Sequence, residues 1–184
     1  MANMNKKILV ALAEGFEEIE ALTPVDLLRR CGGEVSIAGV GSTDITGGHG
    51  IKVTCDMLIS EAGLDYDAII IPGGGLGARN LSESWEVHEK MLMLVNQGAL
   101  LASICASPAV VLGPAGLLNG HRAVCYPGAE VNTPDFEFSD EPVCVDGNLI
   151  TARGAGCAVD FSLAIIEHLY DKETSDRIRS AIIA

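Results

Sequence analysis

With 184 residues, 48% of them hydrophobic and only 4% aromatic, the chain can bury an aliphatic core without disulfides or a structural metal, and 21 glycines point to many tight turns. A formal net charge of −13 excludes nucleic-acid binding through phosphates and argues against association with an anionic membrane. The first apolar run, Ile8 to Ala13, is too short for a signal-peptide core or a membrane span, so a cytoplasmic protein is expected.

Lys7 to Ala13 reads as a central strand, because a continuous apolar run marks a strand covered on both faces of a parallel sheet. A loop with Glu14, Gly15, Glu17 and Glu18 comes after it. Next is a helix with Ile19, Leu22, Val25 and Leu28 on its apolar face, stopping at Gly32 and Gly33. Thr23 and Pro24 also fit a fresh cap and first turn, which leaves the backbone at Glu20 open. Glu34 to Val40 is the next strand, and the glycine turn at 47–50, with Ile51, Val53 and Cys55 after it, predicts a hairpin.

Ala68 to Ile71 is a second doubly buried strand running into Pro72 and three glycines. Ser84 caps a helix carrying Val87, Met91, Leu94 and Val95, closed by Gly98. Ala99 to Ile104 is a third buried strand, and Ala106 to Val111 a helix with Pro108 in its first turn. Arg122 to Tyr126 reads as a short strand, Val143 to Ala152 as a hairpin, and Ala158 to Tyr170 as a helix, with one more short helix at the end. Without repeat, low-complexity tract or linker, residues 1–184 are expected to form one α/β domain.

In open parallel sheets ligands gather beyond the carboxyl ends of the strands. Three loops qualify, residues 14–20, Pro72 to Gly75, and Cys105, and all three meet if their strands are neighbours. A thiol in the first turn of a helix feels unpaired N–H groups that favour thiolate, so Cys105 is expected to be exposed, with a lowered pKa. Packing is the competing reading, since most free cysteines are inert small hydrophobes. The flexible backbone at Gly73, Gly74 and Gly75 suits an oxyanion or carboxylate site, or simply a turn.

Gly73, Gly75 and Ala78 fit a dinucleotide fingerprint, but the following strand ends in Cys105 where a ribose-binding acid belongs, so no cofactor is expected. Of Glu17, Glu18 and Glu20, two are expected to be a solvated helix start. One, buried beside the thiol, would keep its proton and donate it. The six cysteines show no CxxC pair and no zinc-type spacing, so neither disulfides nor a metal site is expected. None of the four histidines adjoins Cys105 in sequence, and surface or capping roles are expected for them. Cys157 also opens a predicted helix and is the one rival to Cys105.

At GFEEIE with TPVDLLRR, PGGGLGARNLSES, SICASPAVVLG, YPG, and TARGAG with DFSLAIIEHL, the chain resembles the ThiJ/PfpI family of the class I glutamine amidotransferase-like superfamily. Within that family the likeness is to the branch of the parkinsonism-associated deglycase. The resemblance implies a flavodoxin-like three-layer α/β/α sandwich and a homodimer joined through the first helix and the hairpin region. It also implies Cys105 as nucleophile or oxidation site, Glu20 as its protonated partner, and Gly73, Gly74 and the Ala106 backbone as N–H donors.

Departures from the family pattern are specific. Tyr126, preceded by Cys125, stands where the branch commonly has a histidine. Ala106 replaces the histidine of protease-like relatives, which argues against a peptidase, and the late HxE pair of the amidotransferases is absent. Cys157 replaces a frequent threonine. The resemblance implies glutathione-independent conversion of α-oxoaldehydes such as methylglyoxal. The alternative it leaves is a redox sensor or stress-linked chaperone in which Cys105 becomes sulfinate.

Overall fold

The computed structural model describes residues 5–184. The apolar runs do become strands buried on both faces. In β1 (Lys7–Leu12), Ile8, Val10 and Leu12 enter one hydrophobic cluster while Leu9 and Ala11 enter another. β6 (Ala68–Ile71) divides in the same way, Ile70 to one side and Ile69 and Ile71 to the other. A period of two with apolar residues on both faces is what an internal parallel strand requires.

Between β1 and β6 the chain forms α1 (Glu18–Arg30), β2 (Glu34–Gly39), the hairpin of β3 (Asp44–Thr46) and β4 (Lys52–Thr54), and the two-residue β5 (Met57–Leu58). After β6 come α2 (Gly75–Glu83), α3 (Trp85–Asn96) and β7 (Leu100–Ile104). The chain then continues through β8 (Val143–Asp146), β9 (Leu149–Ala152), α4 (Ala158–Leu169) and α5 (Lys172–Ala181). The main sheet has the order β5-β2-β1-β6-β7-β9-β8, parallel except for β8 against β9.

Helices α1, α4 and α5 cover one face through Val25, Leu28, Phe161, Ile165 and Ile178. Helices α2 and α3 cover the other through Leu81, Val87, Met91 and Leu94. This is the flavodoxin-like α/β/α sandwich. Each fully buried leucine or isoleucine stabilises it by about 1.5–3 kcal/mol. Among the described residues no helix is long and apolar enough to cross a membrane.

Three expectations need correction, and the choice left open at Pro24 is decided. Helix α1 runs unbroken through Pro24, which is buried and leaves the Glu20 carbonyl without its helical N–H. Its inward face is Ala21, Pro24, Val25 and Leu28, with Glu18 and Glu20 also buried, while Ile19 is 55% exposed. Residues 122–126 form no strand. β8 already occupies the free edge of β9, and the Val124 and Tyr126 amides bond to Thr151 Oγ1 and the Cys105 carbonyl instead. The glycine-rich stretch after β6, read as a loop, enters α2, where the Gly77 amide donates to the Gly15 carbonyl at 3.0 Å. A Cβ at Gly77 would stand 2.6 Å from Phe16 Cα, so a glycine is needed for this close approach.

Candidate active site

Strands β1, β6 and β7 are adjacent and parallel, so the loops at their carboxyl ends meet, as expected. Cys105 lies directly after β7. Its amide donates to the Ala152 carbonyl at 2.8 Å and its carbonyl accepts from the Tyr126 amide at 2.7 Å. These bonds hold the residue at φ 66°, in the left-handed region, which costs a non-glycine residue on the order of 1–3 kcal/mol. The backbone thereby turns the sulfur out of the sheet towards the first turn of α1 and the glycines after β6.

Glu20 reaches the same point from α1. Its side chain hydrogen-bonds the Cys105 thiol, and Oε2 accepts from the Gly73 amide at 3.0 Å. The residue is 1% exposed. Gly73 is wedged between the pair: a Cβ there would stand 2.5 Å from Glu20 Oε2 and 2.6 Å from Cys105 Cβ. The amides of Gly74, at φ 97°, and Ala106 donate to the sulfur. Ser107 Oγ fixes the turn by donating to the Pro72 carbonyl at 2.6 Å.

The electrostatics differ from the expectation of a thiol depressed by a helix dipole. Cys105 is partly buried rather than exposed. In place of the expected helix, the chain beyond it makes a single π-helical turn, Pro108–Leu112, too short to supply a macrodipole. Burial first, then the neighbouring Glu20 carboxylate, push the Cys105 thiol up to about 12, against the pull of the Gly74 and Ala106 amides. Burial raises the Glu20 carboxyl to about 7, against the pull of the Cys105 and Gly73 donors. Two groups sharing a hydrogen bond titrate as a pair. Between about 7 and about 12, thiol and carboxyl hold one proton between them.

The secondary candidates are placed apart from this pair or bear on it only through backbone. Tyr126 contributes its amide to the Cys105 carbonyl, while its ring is 54% exposed and lies over Gly154. Cys125 is buried and faces a separate cavity of about 240 Å³ with Pro127, Glu130, Phe136, Phe138 and Arg153. Burial and Glu130 push its thiol up to about 11. Cys157 is the N-cap residue of α4 and packs against the α1 and α4 core.

His88 bonds the Ser82 carbonyl and His121 bonds Asp146, in keeping with capping and surface roles. Of the two glutamates expected to be solvated, Glu18 is buried. Its Oε1 accepts from the His49 amide at 2.8 Å and the Ile51 amide at 3.3 Å, and its Oε2 lies 2.9 Å from His49 Nδ1. Residues two apart on a helix face different ways, so Glu18 turns to the hairpin and Glu20 to the sheet. A cavity of about 480 Å³ opens beside the site, walled by Glu14, Glu17, Thr46, His49, Gly74 and Leu76.

A cysteine on a strained strand-end elbow, beside a buried carboxyl on a parallel α/β sandwich, defines a class of elbow-cysteine proteins. The chain belongs to the DJ-1/PfpI family, whose model matches residues 6–168. It is 36% identical over 96% of its length to protein DJ-1 homolog B of Arabidopsis thaliana, of which it spans only 41%. It is 35% identical to the Parkinson disease protein 7 homolog of Danio rerio, with 97% of each chain covered. Deglycase PYRAB04690 of Pyrococcus abyssi is 34% identical, over 82% of this chain and 91% of the relative. Among solved structures, Toxoplasma gondii DJ-1, described as oxidized, superposes with a TM-score of 0.91 at 39% identity, covering 97% of this chain and 98% of that one.

Proposed function

We propose that the chain converts small α-oxoaldehydes such as methylglyoxal to hydroxyacids without glutathione, through Cys105 and Glu20. The observation that carries this reading is the convergence of the Cys105 thiol and the buried Glu20 carboxyl around Gly73, where a Cβ would stand 2.5 Å from Glu20 Oε2 and 2.6 Å from Cys105 Cβ. With the shared proton on Glu20, the sulfur is an anion held by the Gly74 and Ala106 amides. The thiolate adds to the aldehyde carbon, forming a C–S bond, and Glu20 delivers its proton to the developing alkoxide, giving a hemithioacetal. Glu20, now a carboxylate, removes the proton from that carbon and returns it to the neighbouring carbonyl-derived carbon, while the hydroxyl proton passes to the neighbouring oxygen through an enediol, leaving a thioester. Water then cleaves the C–S bond, releasing the hydroxyacid, and the remaining proton of the water returns to Glu20, restoring the thiolate and the protonated carboxyl. The sequence consumes one water and needs no oxidant or cofactor. One relative is named a deglycase, a name in keeping with carbonyl chemistry at such a cysteine.

A second reading has its own support: the same amides and Glu20 suit an oxidised Cys105, and the Toxoplasma gondii relative is described as oxidized. In that reading the protein is a redox sensor or stress-linked chaperone. Purified protein separates the two. Glutathione-free loss of methylglyoxal with multiple turnovers is the expected result. Peroxide-dependent sulfinate at Cys105, found by mass spectrometry without any turnover, replaces catalysis with sensing. We further propose a homodimer acting in the cytoplasm, with Ile19 and Ile51, 55% and 52% exposed, on the contact face of α1 and the hairpin. Sedimentation at twice the chain mass is expected.

A further inference from the structure

Where the β3–β4 turn folds over the start of α1, two carboxylates and an imidazole come together. One donor atom from each of Glu17, Glu18 and His49 lies within 4.8 Å of the others. His49 Nδ1 stands 2.9 Å from Glu18 Oε2 and 3.5 Å from Glu17 Oε2. The cluster is built from two elements. The Glu18 carboxylate is fixed through Oε1 by the amides of His49 and Ile51, which leaves Oε2 to face the imidazole. The turn can wrap this closely only because residue 47 is glycine, since a Cβ there would stand 2.3 Å from Glu18 Oε1. Glu17 and His49 also wall the cavity of about 480 Å³, so the open side of the triad faces a space large enough for water or a small ligand.

We propose that Glu17, Glu18 and His49 form a binding site for a borderline first-row divalent cation such as Zn²⁺ or Co²⁺. An imidazole nitrogen with two carboxylate oxygens suits such ions. Calcium would require more oxygen ligands, and copper(I) softer ones. Two carboxylates balance the charge of the ion, and the remaining coordination positions open to the cavity. Binding requires the Nδ1 lone pair, so the ion takes the place of the hydrogen bond between Nδ1 and Glu18 Oε2. Cysteine and histidine spacing could not reveal the site, because its ligands lie 31 residues apart and belong to a helix start and a turn. The proposed ligands are distinct from Cys105 and Glu20, although Glu17, His49 and Gly74 wall the same cavity.

Titration of the full chain with Co²⁺, followed by its visible d–d absorption, tests this assignment. The Cys105→Ser background removes the competing thiol. One equivalent per chain is expected to bind in this background, and His49→Gln and Glu17→Gln are each expected to weaken binding at least tenfold. Glutamine at position 49 keeps the backbone amide that holds Glu18, and far-UV circular dichroism with sedimentation verifies that fold and assembly are retained. Binding that is indifferent to both glutamine variants, binding that vanishes with Cys105→Ser, or no binding below millimolar Co²⁺ would each overturn the proposal.

Discussion

Cys105→Ala is expected to abolish methylglyoxal consumption, lowering kcat/KM by at least about 10³-fold, as loss of a covalent nucleophile does. No second thiol stands ready to replace it. Cys125 faces its own cavity and Cys157 belongs to the cap of α4, so Cys157→Ala should keep its activity. The alanine variant should still fold. Position 105 is partly buried at the rim of the core, and its backbone bonds to Ala152 and Tyr126 do not involve the side chain. Measuring turnover and thermal unfolding on the same preparation checks both expectations. Activity that survives in Cys105→Ala and disappears in Cys157→Ala would move the nucleophile to the other thiol.

Glu20→Gln is expected to cost about 10²–10⁴-fold in kcat, the usual range for a general acid and base, because the amide can accept from Gly73 but cannot move a proton. The same change has a signature in stability. Folded Glu20 holds its proton to about pH 7, whereas the unfolded carboxyl releases it near its ordinary value of 4.5. A carboxyl raised on folding stabilises the protein fully below the lower value, and this contribution is lost as pH rises through the window between them. Wild-type stability should therefore fall between about pH 4.5 and pH 7 with a component missing from Glu20→Gln. Chemical denaturation of both proteins across that range measures the difference. Equal pH slopes would mean that Glu20 is already ionised in the folded state.

The central sheet is legible in the sequence because β1, β6 and β7 carry apolar residues on both faces, a pattern that local chemistry alone imposes. Ser84 likewise accepts from the Val87 amide at the start of α3, as its position before an apolar-periodic run implies. The placement of Cys105 at the end of a central strand, with Glu20 and the glycines nearby, comes from strand order and from the family resemblance.

Features that depend on tertiary contact are not legible in this way. Helix α2 begins with Gly75 and Gly77, poor helix formers, and exists because that backbone packs on Gly15 and Phe16. The burial of Glu18 depends on a turn 31 residues away. The direction of the Cys105 shift is opposite to the one a helix dipole would impose, because burial and the Glu20 charge outweigh two amides. The proposed reaction therefore draws on proton sharing with Glu20, not on a depressed thiol.

The pH dependence of Cys105 alkylation by a small neutral reagent tests that sharing most directly. The rate should rise with an inflection near pH 7, where the pair loses its first proton and the one that remains can rest on Glu20. In Glu20→Gln this inflection should move upward, because the sulfur then loses its proton alone in a buried setting. A wild-type rate that stays flat through pH 7 and climbs only at or above the pH where a free cysteine ionises would place the shared proton on sulfur and contradict the account.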